Sequence, residues 1–239
     1  MTGRVLDIWN KPVGNATVVI EGVVQRNHSG SDGVFAIEIP GKQVVSRVMA
    51  GRDGYIREIL PVDPVADDAD YSPLTFHLYP EPAQPGFYGV GRDAYVHLST
   101  ARVSLVGTEL RHYTGIKQVP GEQLPIGSQR FVFSSTLRSS ELSRMNLHLS
   151  RLDFVDHTLV SGILGRTDAT INLFVAAEEI PFDLKSLPSK DDYLLVTREP
   201  LKTPGIYAFH AQDVLNEEDP RIILSLPKEM QVVFPFEIL

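Results

Sequence analysis

Residues 3–22 read GRVLDIWNKPVGNATVVIEG, and residues 29–41 just behind them read SGSDGVFAIEIPG. Short runs rich in Val and Ile, at 3–8, 16–24, 33–39 and 43–50, are separated by clusters of Gly, Pro, Asn and Asp, which is the pattern of β-strands joined by tight turns. Within the second stretch, Phe35, Ile37 and Ile39 alternate with Val34, Ala36 and Glu38, so one face of a strand is expected to be buried and the other wet. Pro12 presets a turn after the first strand, and the next strand carries Val18 and Ile20 toward a core. Asp32-Gly33 and Asp53-Gly54 each lie between apolar runs and are expected to turn the chain between adjacent strands, with glycine taking the positive φ.

The order Gly3-x-Val5-x-Asp7, Lys11-Pro12-Val13, Ala16-x-Val18, Ser31-Asp32-Gly33-x-Phe35 and Gly54-Tyr55 resembles the carboxypeptidase regulatory-like domain over residues 2–80. The resemblance implies a seven-stranded transthyretin-like sandwich, usually non-catalytic, in a protein exported to the bacterial periplasm or cell surface. It also implies a lipid anchor attached through a removed N-terminal segment. LTFHLYP (74–80) then reads as the closing strand. Pro80, Pro82 and Pro85 follow as a stiff connector, since proline cannot donate a ladder hydrogen bond. The expected domains are therefore 1–82 and 86–239.

The second domain contains strand-like runs at 94–99, 102–107, 130–135, 145–156, 170–177, 193–197, 205–211 and 230–238. A larger antiparallel β-sandwich is the default arrangement for so many short strands, making the chain all-β. LRSSELSRM (137–145) and HAQDVLNEEDP (210–220) are expected to form helical turns, and the two Pro-Gly-aromatic sequences at 85–89 and 204–209 are expected to be turns.

Composition excludes several classes of function. The chain has 239 residues, a net charge of −8 and no cysteine, and its Lys and Arg are scattered. Nucleic acid is therefore not an expected partner, and thiolate chemistry is absent. No apolar run approaches the roughly 18 residues that a transmembrane helix needs.

Candidate sites are few. The opening stretch also resembles that of intradiol dioxygenases, which hold iron with two Tyr and two His. This draws attention to Tyr88, Tyr95, Tyr207, His97 and His210, with His97, Tyr207 and His210 as the metal candidates. Tyr207 and His210 differ by an odd number within one strand and so point to opposite faces. The seven histidines include no HExxH and no pair at i, i+4. Asp67, Asp68 and Asp70 form an acidic loop able to offer oxygen ligands to calcium. Asp191-Asp192 and Glu217-Glu218-Asp219 read as exposed turn charges, and no GxSxG elbow accompanies the serines. Trp9, the single tryptophan, is a candidate binding residue in its turn.

No catalytic residue and no cofactor is expected. The leading expectation is a non-enzymatic binding or structural protein of the cell envelope that recognises a protein or glycan, with the first domain as spacer or docking module and any ligand specificity in the second. Two other readings are a metal-dependent enzyme with a Tyr/His site in the second domain and a carbohydrate-binding protein showing coplanar exposed aromatics on one sheet face.

Overall fold

The computed structural model of the protein describes residues 1–23, 26–39, 45–63, 71–107, 112–119, 121–135, 146–161, 167–188, 192–215, 223 and 231–239. The chain is all-β and divides into two units, Met1–Gln84 with Ser186–Asp192, and Pro85–Lys185 with Tyr193–Leu239.

In the first unit the strands are β1 (Thr2–Asp7), β2 (Thr17–Ile20), β3 (Arg26–His28), β4 (Val34–Ala36), β5 (Arg47–Gly51), β6 (Tyr55–Ile56), β7 (Glu58–Pro61) and β8 (Leu74–Pro80). They form two four-stranded sheets, ordered β4-β1-β8-β6 and β3-β2-β5-β7. All pairs are antiparallel except β1 and β8, which run parallel with Val5 opposite Phe76. Alternate residues of both sheets, among them Val5, Val18, Ile20, Phe35, Val48, Phe76 and Leu78, meet in a continuous apolar core. Each such side chain contributes about 1.5–3 kcal/mol by leaving water.

The opening stretch shows how local chemistry sets this arrangement. After β1, Asp7 Oδ1 accepts the backbone N–H groups of Trp9 and Lys11, each at 2.9 Å, and Asn10 takes φ of 64°, a conformation its short side chain tolerates. The chain returns so that Val13 N donates to Val5 O at 2.9 Å. Buried Ser29 then ties two segments, its Oγ donating to Val13 O and accepting from Ala16 N. Gly3 is required by close approach: a Cβ there would lie 2.3 Å from Leu74 O and 2.5 Å from the Phe35 ring.

Phe35 and Ile37 are buried while Val34 and Glu38 are exposed, following the alternation in the sequence. Gly33 and Gly54 have φ of 77° and 79°. The two turns nevertheless join strands of different sheets, Asp53-Gly54 between β5 and β6 and Asp32-Gly33 between β3 and β4, so neither connects adjacent strands as expected. Val5 N reaches across to Gly33 O at 2.8 Å, which fixes the turn on the other sheet. The described residues of this unit form eight strands where seven were expected, because the run 55–61 changes sheets at Arg57, β6 pairing with β8 and β7 with β5.

The second unit is built on two sheets. One is ordered β10 (Tyr95–Leu98), β9 (Gly86–Val90), β15 (Arg130–Ser134), β19 (Asp192–Thr197), β18 (Phe182–Ser186). The other is ordered β11 (Ala101–Arg102), β21 (Val232–Ile238), β20 (Gly205–Ala211), β16 (Leu147–Ser161), β17 (Thr167–Glu179), with β14 (Gln123–Leu124) parallel to β21. Phenylalanines fill the space between them. Phe87 stacks on Phe133 at 4.1 Å and on Phe209 at 4.9 Å, and Phe131 meets Phe209 edge-on at 5.0 Å. The six-stranded sheet is covered on its other face too, where Ala208, Leu152 and Val233 pack with Ile116 and with Val214 and Leu215 of a helical turn, Gln212–Leu215.

All eight runs expected in this unit contain strands, β20 matching the run at 205–211, but the Pro-Gly-aromatic sequence at 85–89 begins a strand, β9, where only a turn was expected. β16 and β17 also continue past the expected ends at 156 and 170, because cross-strand backbone pairing persists through polar residues such as His157 and Thr158. Beyond Leu152 the hairpin leaves β20, and a bulge between Arg151 and Leu152 accompanies the departure. One face of this arm is covered by β12 (Ser104–Gly107) and β13 (His112–Gly115), through Val106 and Tyr113 on Ile171 and Leu173. Asp192, expected on an exposed turn, is buried at the start of β19. The expected helical turn at 137–145 lies outside the described residues.

Candidate functional site

The three residues proposed from sequence as metal ligands are kept apart by the layers of the second unit. Leu98 of β10 enters the aromatic core, so His97 projects from the outer face of its sheet, where its ring lies 4.8 Å from that of Tyr88. Tyr207 of β20 lies within the core, 5.8 Å from Phe236, and its hydroxyl donates to Thr203 O at 2.9 Å. His210 leaves β20 on the opposite side, with Ala208, on the outer face of the other sheet. The ligand set therefore does not assemble. Among the described residues no three His, Asp or Glu side chains are grouped to hold a metal. Asp67, Asp68 and Asp70 lie outside the described residues.

The outer aromatics do not make a flat platform either. Tyr88 is tilted by 55° to Tyr95 and by 43° to His97, and the Phe154–Phe174 pair on the hairpin arm is tilted by 52°. Trp9 is half-buried in the turn that Asp7 organises, with Lys11 Nζ 5.9 Å from its ring centroid.

His210 instead joins a polar cluster that no sequence motif marks. β16 and β20 set His148 opposite His210 and Ser150 opposite Ala208. His210 Nδ1 lies 2.8 Å from Ala211 O, which can only accept, so that nitrogen carries the proton and Nε2 accepts from Ser150 Oγ at 2.9 Å. Burial pushes the His210 imidazole down to about 4, against the opposing hydrogen bond to Ala211, and His148 adds to the lowering. His148 stacks on His210 at 5.9 Å and pairs through Nδ1 with Glu179 at 2.9 Å, while its Nε2 is buried with no hydrogen-bond partner among the described residues. The Ser–His pair has the order of a nucleophile and its base. Both residues are only 1% exposed, however, and a backbone carbonyl stands where a triad has a carboxylate, so the pair is a buried structural node. The signal available in the sequence is the polar pair His148 and Ser150 alternating with Leu147 and Leu149 in a strand buried on both faces.

An open groove of about 1000 Å³ lies on the first unit, along the outer face of β3, β2 and β5. Inward residues Val18, Ile20, Val48 and Ala50 serve the core, so Thr17, Val19, Met49 and Gly51 face outward. Arg26, Arg52, Arg57 and His28 line the groove, and Arg52 lies 5.9 Å from the Tyr55 ring centroid. Its two carboxylates, Asp53 and Glu81, come from the 52–55 turn and from just beyond β8. The arginine ion pairs present among the described residues are made by Arg151 and Arg198 in the second unit, leaving Arg26 and Arg57 without a carboxylate partner among those residues. Exposed guanidiniums on a sheet face can donate paired N–H hydrogen bonds to carboxylate, sulfate or phosphate oxygens. The sequence signal is again alternation, with Arg47, Met49 and Gly51 opposite Val48 and Ala50.

No family model matches the chain, and no curated protein matches its sequence. Fold and site together define an all-β protein of the β-sandwich kind, with an arginine-lined groove on one sheet of its first unit.

Proposed function

We propose that this is a non-enzymatic binding protein whose first unit docks an anionic ligand in the groove over β2 and β5. The reading follows the resemblance to carboxypeptidase regulatory-like domains in taking that unit as a docking module and in placing the protein in the bacterial periplasm or at the cell surface. It departs from the sequence-based expectation by assigning ligand recognition to the first unit. The observation that carries it is a sheet face bearing Arg26 and Arg57 without ion-pair partners among the described residues, in a chain whose net charge is −8. Guanidiniums without a carboxylate partner among the described residues keep their donors for an anion, whose attraction offsets the side-chain order lost on binding.

Fluorescence anisotropy with labelled poly-L-glutamate tests this reading, with poly-L-lysine as the control. Binding to polyglutamate alone is expected, weakening as salt rises because the contacts are exposed. Arg26→Glu with Arg57→Glu should abolish it while leaving the circular dichroism spectrum unchanged. Absence of binding, or binding that survives the double substitution, overturns the assignment.

A further inference from the structure

We infer that the occupant of this groove is an extended acidic peptide of the form acidic-x-apolar-x-acidic, lying along β5. This rests on the groove reading above and specifies its ligand. The register sets three outward rows across the sheet. The middle row starts at Arg26 on β3 and is apolar from β2 onward, with Arg26 opposite Val19, Val19 opposite Met49 and Met49 opposite Ile59, and Ile59 is 46% exposed. Val19, Met49 and Ile59, together with Glu21 and Arg47, line a shallow depression of about 200 Å³. Arginine follows in each direction along β5. Arg47 is two residues before Met49 on the same face, and Gly51, two residues after it, is covered by Arg57, whose Cγ lies 2.7 Å from where a Cβ on Gly51 would stand. Charge, apolar contact and charge therefore succeed one another at the two-residue period of a strand, about 6.5–7 Å per step.

An extended peptide presents every second side chain to one side with the same period, so a carboxylate, an apolar side chain and a second carboxylate spaced i, i+2, i+4 match the three rows. Glu21, the acidic neighbour of Arg47 on the depression, accepts from Ser46 Oγ at 3.3 Å. A uniform polyanion, such as a sulfated glycan, has nothing to place on Met49 and Ile59, whose burial rewards an apolar side chain.

The test uses the full chain and fluorescein-labelled acetyl-Gly-Ser-Glu-Thr-Leu-Thr-Glu-Ser-Gly, with a control in which Ser replaces Leu at equal charge. The Leu peptide is expected to bind about tenfold or more tightly than the Ser peptide, the effect of one buried aliphatic side chain. Met49→Ser and, separately, Ile59→Ser should erase that difference, and a preference for the Leu peptide that survives both overturns the peptide assignment. Both positions face outward, and circular dichroism checks that each variant folds. Equal binding of the two peptides alongside intact polyglutamate binding overturns the peptide assignment and leaves the groove reading standing, whereas loss of polyglutamate binding overturns both. Tighter binding of dextran sulfate that is indifferent to Met49→Ser assigns the groove to a glycan and overturns the peptide. Self-association in sedimentation that Arg47→Glu abolishes gives the face to a second copy and likewise overturns it.

Discussion

Ser150 Oγ donates to His210 Nε2 at 2.9 Å across the paired strands β16 and β20, and each residue is 1% exposed. The imidazole is neutral because burial holds its pKa near 4 rather than at the ordinary 6.5. Between those values the unfolded chain takes up a proton that the folded chain refuses. The stability contributed is complete above about pH 6.5 and falls as pH drops toward 4, by on the order of 3 kcal/mol in total. Urea denaturation at pH 7 and pH 5 should show a drop in the midpoint, and His210→Gln should shrink that drop. Equal losses in the two proteins would place the acid sensitivity elsewhere.

Removing the hydroxyl isolates the hydrogen bond. Ser150→Ala leaves His210 Nε2 buried with no donor and is expected to cost about 1–3 kcal/mol. Pairing it with His210→Phe should recover part of that loss, giving a coupling of about 1 kcal/mol in a double-mutant cycle. Additive losses would show that the two side chains do not interact.

Gly3 and Gly54 distinguish space from backbone conformation. A Cβ on Gly3 meets the Leu74 carbonyl and the Phe35 ring, backbone and core atoms that cannot move aside, so Gly3→Ala should destabilise by about 2–3 kcal/mol. At Gly54 nothing lies within 4 Å and only the φ of 79° opposes a side chain, so Gly54→Ala should cost about 1–2 kcal/mol. Thermal denaturation of the two variants gives the order directly, and a larger loss at Gly54 would contradict it.

Asp7→Ala removes the acceptor of two turn N–H groups and is expected to cost about 1–3 kcal/mol. As Trp9 is the single tryptophan and sits in this turn, its emission should shift to the red as the turn loosens. Asp7→Asn keeps an acceptor oxygen at the same place and should retain most of the stability and the native emission. An unchanged Asp7→Ala spectrum would mean that the turn is held by other contacts.

Much of the all-β architecture is legible in consecutive residues, because strand periodicity and turn residues are local properties. The alternation around Phe35 and Ile37 marks their buried face, the Asp-Gly pairs mark the positive φ of Gly33 and Gly54, and the odd spacing of Tyr207 and His210 marks their divergence. Which strands become neighbours is not legible in this way. Asp32-Gly33 has the chemistry of a hairpin turn, yet it crosses between sheets because Val5 N captures Gly33 O from the other layer. The ends of β16 and β17 are hidden as well, since each strand is extended by its partner's backbone and not by its own side chains.

The candidate site divides along the same line. That Arg47, Met49 and Gly51 share one face of a strand follows from the sequence alone, as does the opposition of Val48 and Ala50, because side chains alternate in any strand. That Val19 and Ile59 extend this face into an apolar row, that Arg57 folds over Gly51, and that His210 meets Ser150 in a buried pair were decided by strand pairing in three dimensions. Backbone periodicity is written in consecutive residues, whereas pairing joins positions such as 59 with 49 and 210 with 148, and the burial gained by the assembled sheets selects those partners.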